Sequence, residues 1–101
     1  QFHLRMSDLD KYIDDDGARS EYLEPLWNNA SEDGGKSIPE DKFADIVYDI
    51  AGENGINPVT FEEVIQAKKD SEGLKADTID KKTFDSISKY IFIALKEKNG
   101  L

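Results

Sequence analysis

Apolar residues in this chain recur at intervals of three and four positions, which is the spacing of the buried face of an α-helix. The pattern predicts a short first helix, capped by Ser7 and ended by the acidic run before Gly17. It also predicts a second helix, capped by Ser20. Pro25 would then lie just beyond the first turn and remove a backbone hydrogen bond, so a helix that begins near Leu23 is the alternative.

Three more helices are predicted in the second part of the chain. Pro39 and the two acidic residues after it open the third helix, because proline and acidic side chains favour the first helical turn. Thr60 and Glu63 have the spacing of a capping box and open the fourth helix. The fifth helix runs from about Asp80 to Lys98. Polar stretches rich in glycine, asparagine and serine separate these helices and predict loops.

The order helix, polar loop, isolated isoleucine and helix occurs twice after the first helix. Ile38 lies five residues before Phe43, and Ile79 lies five residues before Phe84. An apolar residue follows each phenylalanine at three and at seven positions. These four residues are Ile46, Ile50, Ile87 and Ile91.

This repeat resembles a pair of EF-hands, the helix–loop–helix units of calmodulin and the myosin light chains. In that family the eighth loop residue is a β-branched apolar residue that pairs with its twin across a two-residue β-sheet. If Ile38 holds that position, the first loop begins at Ser31. The preceding helix then has apolar residues where the family has them, at Leu23, Leu26, Trp27 and Ala30. The second half matches mainly through its last helix, because its loop is longer before Ile79.

The resemblance implies an all-α fold, a paired EF-hand-like lobe of four main helices plus a short N-terminal helix. It also implies a minimal two-residue β pairing of Ile38 with Ile79. An unrelated bundle of four or five helices is the alternative, since apolar spacing of three and four residues occurs in any helical bundle.

The length of 101 residues is typical of a single domain. We expect residues 20–101 to form the EF-hand-like domain, with the first hand at 20–52 and the second at 59–98. Residues 6–19 form an N-terminal helical segment. Residues 1–5 are interpreted as a leader foreign to the natural protein, because they are followed directly by a methionine that has the character of a natural start. The alternative is that the chain is a fragment of a longer protein.

Most of the oxygen ligands that an EF-hand needs for calcium are missing from both predicted loops. Calcium is bound by residues 1, 3, 5, 7, 9 and 12 of such a loop, the last a bidentate glutamate. Lys42 stands at the twelfth position of the first loop, and Thr83 stands there in the second. The other degenerate positions are Ser31, Asp33, Gly35, Glu72 and Asp80. We expect no metal to bind. A calcium sensor with degenerate loops is the second alternative hypothesis for the function.

The 22 acidic and 13 basic residues give a net charge of −9. This charge opposes binding to nucleic acid, which needs clustered lysine and arginine, and to anionic membranes. Basic proteins and basic helices are its natural electrostatic partners. The longest apolar stretch, Tyr90–Leu95, is far shorter than the roughly 20 residues of a membrane-spanning helix. We therefore expect a protein partner, and neither nucleic acid nor membrane.

The chain lacks cysteine, and its single histidine is His3, within the predicted leader. Ser–His and Cys–His nucleophile arrangements therefore cannot be assembled from a usable histidine, and disulfides are excluded. We expect no catalytic residue and no cofactor, and predict that the protein is not an enzyme. The absence of cysteine favours a cytoplasmic location. A light-chain role would place the protein on the cytoskeleton.

The resemblance implies a calcium-independent module that grips a basic amphipathic helix in an apolar groove, as light chains hold the IQ-type helix of a myosin neck. Candidate groove residues are Leu26, Trp27, Phe43, Val47, Ile50, Phe61, Ile65, Ile87, Ile91, Phe92 and Leu95. Phe92 and its neighbour Ile93 lie off the main apolar face of the last helix, which indicates that something covers its second side. The alternative function is an acidic helical inhibitor or immunity-type protein that blocks a basic enzyme surface by charge mimicry.

Overall fold

The structure is a computed structural model that describes residues 6–31, 36–69 and 78–101. Within these ranges the chain forms five helices and two short strands. The helices are α1 (Met6–Asp14), α2 (Asp16–Ser31), α3 (Glu40–Asn54), α4 (Phe61–Lys68) and α5 (Lys81–Lys98). The strands are β1 (Ser37–Pro39) and β2 (Thr78–Asp80). The prediction of a helical protein with one minimal strand pair is confirmed.

The two strands pair in antiparallel fashion, with Ile38 opposite Ile79. The predicted pairing of these isoleucines is therefore confirmed. Both side chains are buried, while the residues on either side of each face solvent. A hydrogen bond of 3.1 Å from the Lys81 amide to the Lys36 carbonyl oxygen extends the pairing. Because β1 runs directly into α3, β2 runs directly into α5 and the strands are antiparallel, the two helices start from opposite ends of this small sheet.

The junction between α1 and α2 differs from the prediction. Helix α2 begins at Asp16, so the predicted cap at Ser20 is wrong. Asp15 caps the helix instead, because its Oδ1 accepts a hydrogen bond of 3.0 Å from the Ala18 amide. The alternative start near Leu23 is also wrong, since Pro25 lies inside α2. Pro25 is exposed, so the carbonyl group that loses its amide donor is on the solvent side of the helix.

The core is organised around four aromatic side chains, one from each of the helices α2 to α5. Trp27 lies 4.9 Å from Phe84 between ring centroids, and Phe84 lies 6.2 Å from Phe43. Phe43 in turn meets Phe61 edge to face at 5.3 Å. All four are buried. Edge-to-face and tilted contacts at these distances are favourable for aromatic rings, so the cluster joins both halves of the chain into one core.

Local signals in the sequence explain where several helices begin and end. Thr60 and Glu63 form the predicted capping box, with hydrogen bonds of 2.9 and 3.1 Å between each side chain and the other's amide. Helix α3 ends at Gly55, whose φ of 67° lies in the left-handed region that glycine adopts without strain. Among the described residues, no helix has both the length and the apolar character to cross a membrane.

Candidate partner-binding site

Most of the predicted groove residues lie inside the core. Nine of the eleven are at most 6% exposed: Trp27, Phe43, Val47, Ile50, Phe61, Ile87, Ile91, Phe92 and Leu95. Leu26 and Ile65 are partly buried and pack against the same core. In this closed conformation the nine side chains expose almost no surface to a partner. Their role in binding a partner stays a prediction.

The second side of α5 is covered by the chain's own first helix. Phe92 is fully buried, and the ring of Tyr12 lies 5.3 Å from it between centroids. Tyr12 also stacks on Tyr22 of α2 at 4.6 Å, and Leu9 is only 1% exposed. Ile93, the other residue off the main face, is half-buried. The apolar second side of α5 is therefore accounted for by a contact within the chain.

Polar contacts fix α1 in this position. The Arg19 guanidinium donates hydrogen bonds of 2.9 and 3.2 Å to the carbonyl oxygens of Tyr12 and Ile13, at the end of α1. A cation at this end is favourable, because the last carbonyl groups of a helix carry partial negative charge. At the other side of α1, Asp10 Oδ1 lies 2.6 Å from Lys96 Nζ of α5. Helix α1 is thus held to both α2 and α5.

A further polar contact joins α2 to α3. The hydroxyl group of Tyr22 donates a hydrogen bond to Glu53. Burial raises the pKa of Tyr22, and the hydrogen bond and charge of Glu53 raise it further. The phenol therefore stays neutral and continues to donate over the whole physiological pH range.

The predicted loop positions that lie within the described ranges have structural contacts. Ser31 is the last residue of α2, buried, and its hydroxyl group donates to the Asn28 carbonyl oxygen at 3.4 Å. Asp80 caps α5 by accepting a hydrogen bond of 2.7 Å from the Thr83 amide, and this bond lowers the pKa of Asp80. Lys42 is half-buried in α3. The other predicted positions, Asp33, Gly35 and Glu72, lie outside the described residues.

The part of the chain that the structure describes has no cluster of metal-binding side chains. No three histidine, cysteine, aspartate or glutamate side chains come together there in a way that could hold an ion. The carboxylate of Asp80, the one described acidic residue among the predicted loop positions, accepts the amide hydrogen bond at the start of α5.

Charge is distributed unevenly over the helices. Helix α3 carries five acidic residues and one lysine, a net charge of −4, whereas α5 carries five lysines and two acidic residues, a net charge of +3. Asp41, Asp45 and Asp49 follow one another at intervals of four residues and are all exposed. None of the ion pairs within the described ranges involves these three aspartates. Helix α3 thus carries the largest net negative charge of the five described helices.

An apolar cleft of about 380 Å³ lies beside this acidic face. We call it the α3 groove; it lies between α3 and the segment 58–61. Its lining includes Phe43, Ala44, Tyr48, Pro58, Val59 and Phe61, with Glu40, Thr60 and Lys98 also at the cleft. Tyr48 is 64% exposed, more than any other large apolar side chain in the described ranges.

Sequence reasoning did not single out Tyr48 or the α3 groove. The available signal was the position of Tyr48 on α3. It follows Asp41 by seven residues and Asp45 by three, so these residues share one side of the helix. The buried face, with Phe43 and Val47, points elsewhere. Tyr48 is thus a large aromatic side chain beside carboxylates on the solvated face of α3.

Comparison with family models, curated proteins and solved structures finds no match to this chain.

Proposed function

We propose that this protein is a calcium-independent protein-binding module, light-chain-like or adaptor-like, that binds a basic amphipathic helix. The observation that carries the proposal is the concentration of unpaired acidic side chains on α3, at Asp41, Asp45 and Asp49. Like charges at intervals of four residues destabilise a helix by about 0.2–0.5 kcal/mol per pair. A cationic partner would offset this repulsion, whereas the isolated domain gains no stability from it.

The arrangement of the helices supports a lobe of the EF-hand kind. Helices α2 and α3 flank β1, helices α4 and α5 flank β2, and the strand pair Ile38–Ile79 lies between the two halves. The calcium-independent part of the proposal rests on Lys42 and Thr83, which stand where the resemblance places the bidentate glutamates.

The proposal includes no enzymatic activity. The groups with shifted pKa values in the described ranges are Tyr22, Glu63 and Asp80, and local structural contacts explain each shift. Glu63 and Asp80 accept hydrogen bonds at helix starts, and Tyr22 donates to Glu53. None of these groups is paired with a nucleophile, as an acid–base catalyst would be.

The second candidate function is the acidic inhibitor of a basic enzyme surface. The same unpaired aspartates favour it, because a row of carboxylates on a rigid helix can imitate an anionic substrate. The two functions differ in how far binding depends on charge. An inhibitor that acts by charge mimicry would lose most of its affinity in salt, whereas a module with buried apolar anchors would keep much of it.

Isothermal titration calorimetry tests the proposal. The probe is a synthetic peptide of leucine and lysine with helical spacing. It is titrated into the protein once in the presence of a calcium chelator and once in the presence of about 1 mM calcium. We expect the same Kd in both solutions and only a modest loss of affinity in about 0.5 M salt. The control peptide has glutamate at every lysine position and should not bind. Absence of heat with the basic peptide would refute the proposal, and a calcium requirement would refute its calcium-independent part.

A further inference from the structure

We infer that the basic helix binds on the outside of the lobe, in the α3 groove with Tyr48 as its anchor, and not between the four helices. This inference rests on the proposed function and names the surface that performs it. Its elements are an apolar cleft, an exposed aromatic side chain at its edge and a one-signed charged face beside it.

The floor of the α3 groove is preformed. Phe43 and Phe61 meet edge to face at 5.3 Å, and both belong to the core, as does Val59 beside them. The floor therefore cannot collapse or rearrange without disturbing the packing of the whole domain. A preformed apolar site binds at lower entropic cost than one that must be assembled on binding.

The wall opposite α3 is also held in place. Asn57, next to Pro58, exchanges two hydrogen bonds with Asn99 after α5: its amide donates to Asn99 Oδ1 at 2.9 Å, and its carbonyl oxygen accepts from Asn99 Nδ2 at 3.0 Å. The capping box of Thr60 fixes the next residues. The segment 58–61 is thus tied to the end of α5 on one side and to the start of α4 on the other.

The charges beside the groove select a basic occupant. Asp41 and Asp45 share the side of α3 with Tyr48, and Glu40 lies at the cleft itself. The one basic side chain at the cleft is Lys98, which lies 3.3 Å from Glu63 and is thereby partly neutralised. An amphipathic helix with apolar residues on one face and lysine or arginine on the next would place both faces correctly. Its apolar side chains would lie against Tyr48, Ala44 and Pro58, the more exposed apolar residues of the cleft, and its cations along the aspartates.

The other surfaces are less suited to such a helix. The space between the four helices is filled by the core, and the second side of α5 is covered by α1 through Leu9 and Tyr12. A cleft between α4 and α5 contains Glu63 and Lys98 together with Lys69 and Glu97, so its charges are mixed. Helix α5 itself carries a net charge of +3 and would repel a cationic partner.

Chemical-shift mapping of the ¹⁵N-labelled full chain with the leucine–lysine peptide, about five helical turns long, tests the inference. We expect the largest amide shifts at residues 40–49 and 59–61, with the amides of α1 unchanged. Binding with the largest shifts in α1 and α5 would overturn the inference but leave the proposed function standing. Absence of any shift would overturn both.

Two variants and a matched control sharpen the test. Asp45→Lys and Tyr48→Ala each change an exposed side chain of the proposed surface, and each should raise the Kd for the peptide about tenfold. Glu21→Lys makes the same charge change as Asp45→Lys on an exposed position of α2, and it should change the Kd less than about twofold. Equal losses in Asp45→Lys and Glu21→Lys, or full affinity in Tyr48→Ala, would refute the α3 groove as the site.

Discussion

Ile38 and Ile79 lie directly opposite each other in the two-stranded sheet, and each side chain is 1% exposed. They come from different halves of the chain, and each immediately precedes the start of a core helix. The two side chains therefore join the halves at the point from which α3 and α5 diverge. Loss of either should disturb both helices and not only the strands.

We expect Ile79→Ala to lower the free energy of unfolding by about 2–5 kcal/mol, because it removes buried methyl and methylene groups and leaves a cavity. Thr78→Ala is the control in the same strand, at an exposed position, and should change stability by less than about 0.5 kcal/mol. Urea denaturation monitored by circular dichroism measures both. Similar losses in the two variants would show that the isoleucine pair is not the link between the halves.

Two glycines near the end of α3 should respond in opposite directions to replacement by alanine. A Cβ atom at Gly52 would meet no atom within 4 Å, so Gly52→Ala should stabilise the protein by about 0.5–1 kcal/mol through its better helix propensity. Gly55 has a φ of 67°, so Gly55→Ala should destabilise by about 1–2 kcal/mol. Thermal unfolding of both variants gives the comparison, and a stabilised Gly55→Ala would contradict the left-handed cap.

Several parts of the fold could be predicted because their causes are local or repeated in the sequence. The capping box needs only Thr60 and Glu63, which lie three residues apart. The pairing of Ile38 with Ile79 is a long-range contact, but the same isoleucine-to-phenylalanine spacing in both halves marked the two residues as equivalent. Such repetition provides information about tertiary structure that one segment alone does not.

The wrong and missed features depend on contacts between different elements of the fold. Ser20 and Asp15 are both acceptable caps, and nothing local decides between them. The earlier start at Asp16 brings Arg19 into reach of the last carbonyl groups of α1, which is a tertiary contact. The α3 groove was missed for the same reason, because its opposite wall, around Pro58, comes from a separate segment of the chain.

The stability of the protein should decrease as the pH is lowered, because two carboxyl groups at helix starts become protonated. The amide of Thr60 lowers the pKa of Glu63, and the amide of Thr83 lowers the pKa of Asp80. A carboxyl group with a lowered pKa in the folded state stabilises the protein above its unfolded pKa. This contribution is lost as the pH falls through the folded pKa, so the loss should begin below about pH 4.5.

Urea midpoints measured from pH 6 down to about pH 3 check this dependence. The matched variant is Asp80→Asn, which keeps an oxygen that can accept the Thr83 amide but does not titrate. It should unfold with a shallower pH dependence than the original protein. An unchanged slope would show that the cap of α5 contributes nothing to the acid sensitivity.

Helix α1 should be a stable part of the domain and not a loosely attached arm. Leu9 is buried and Tyr12 stacks on Tyr22, so Leu9→Ala should lower the free energy of unfolding by about 2–5 kcal/mol. It should also speed amide hydrogen exchange along α1 more than along α3. Lys11→Ala, at an exposed position of the same helix, is the control and should leave exchange unchanged. Equal exchange rates in the two variants would mean that α1 is not held through Leu9.

Asp45→Lys should stabilise the protein while weakening its proposed binding. Asp45 lies four residues from both Asp41 and Asp49, so the substitution turns two repulsive pairs into attractive ones. Each of these two pairs changes by about twice 0.2–0.5 kcal/mol. The pair with Lys42, three residues before position 45, changes by a similar amount in the opposite direction, so the net gain is about 0.5–1 kcal/mol at low salt. Urea denaturation at low and high salt measures the gain, which should shrink at high ionic strength.

Asp45→Asn removes the repulsion without adding attraction and should give about half the effect. A destabilised Asp45→Lys, or a stability gain that does not depend on salt, would show that the aspartates do not repel one another as the structure implies. A basic partner on α3 would then lose its electrostatic support.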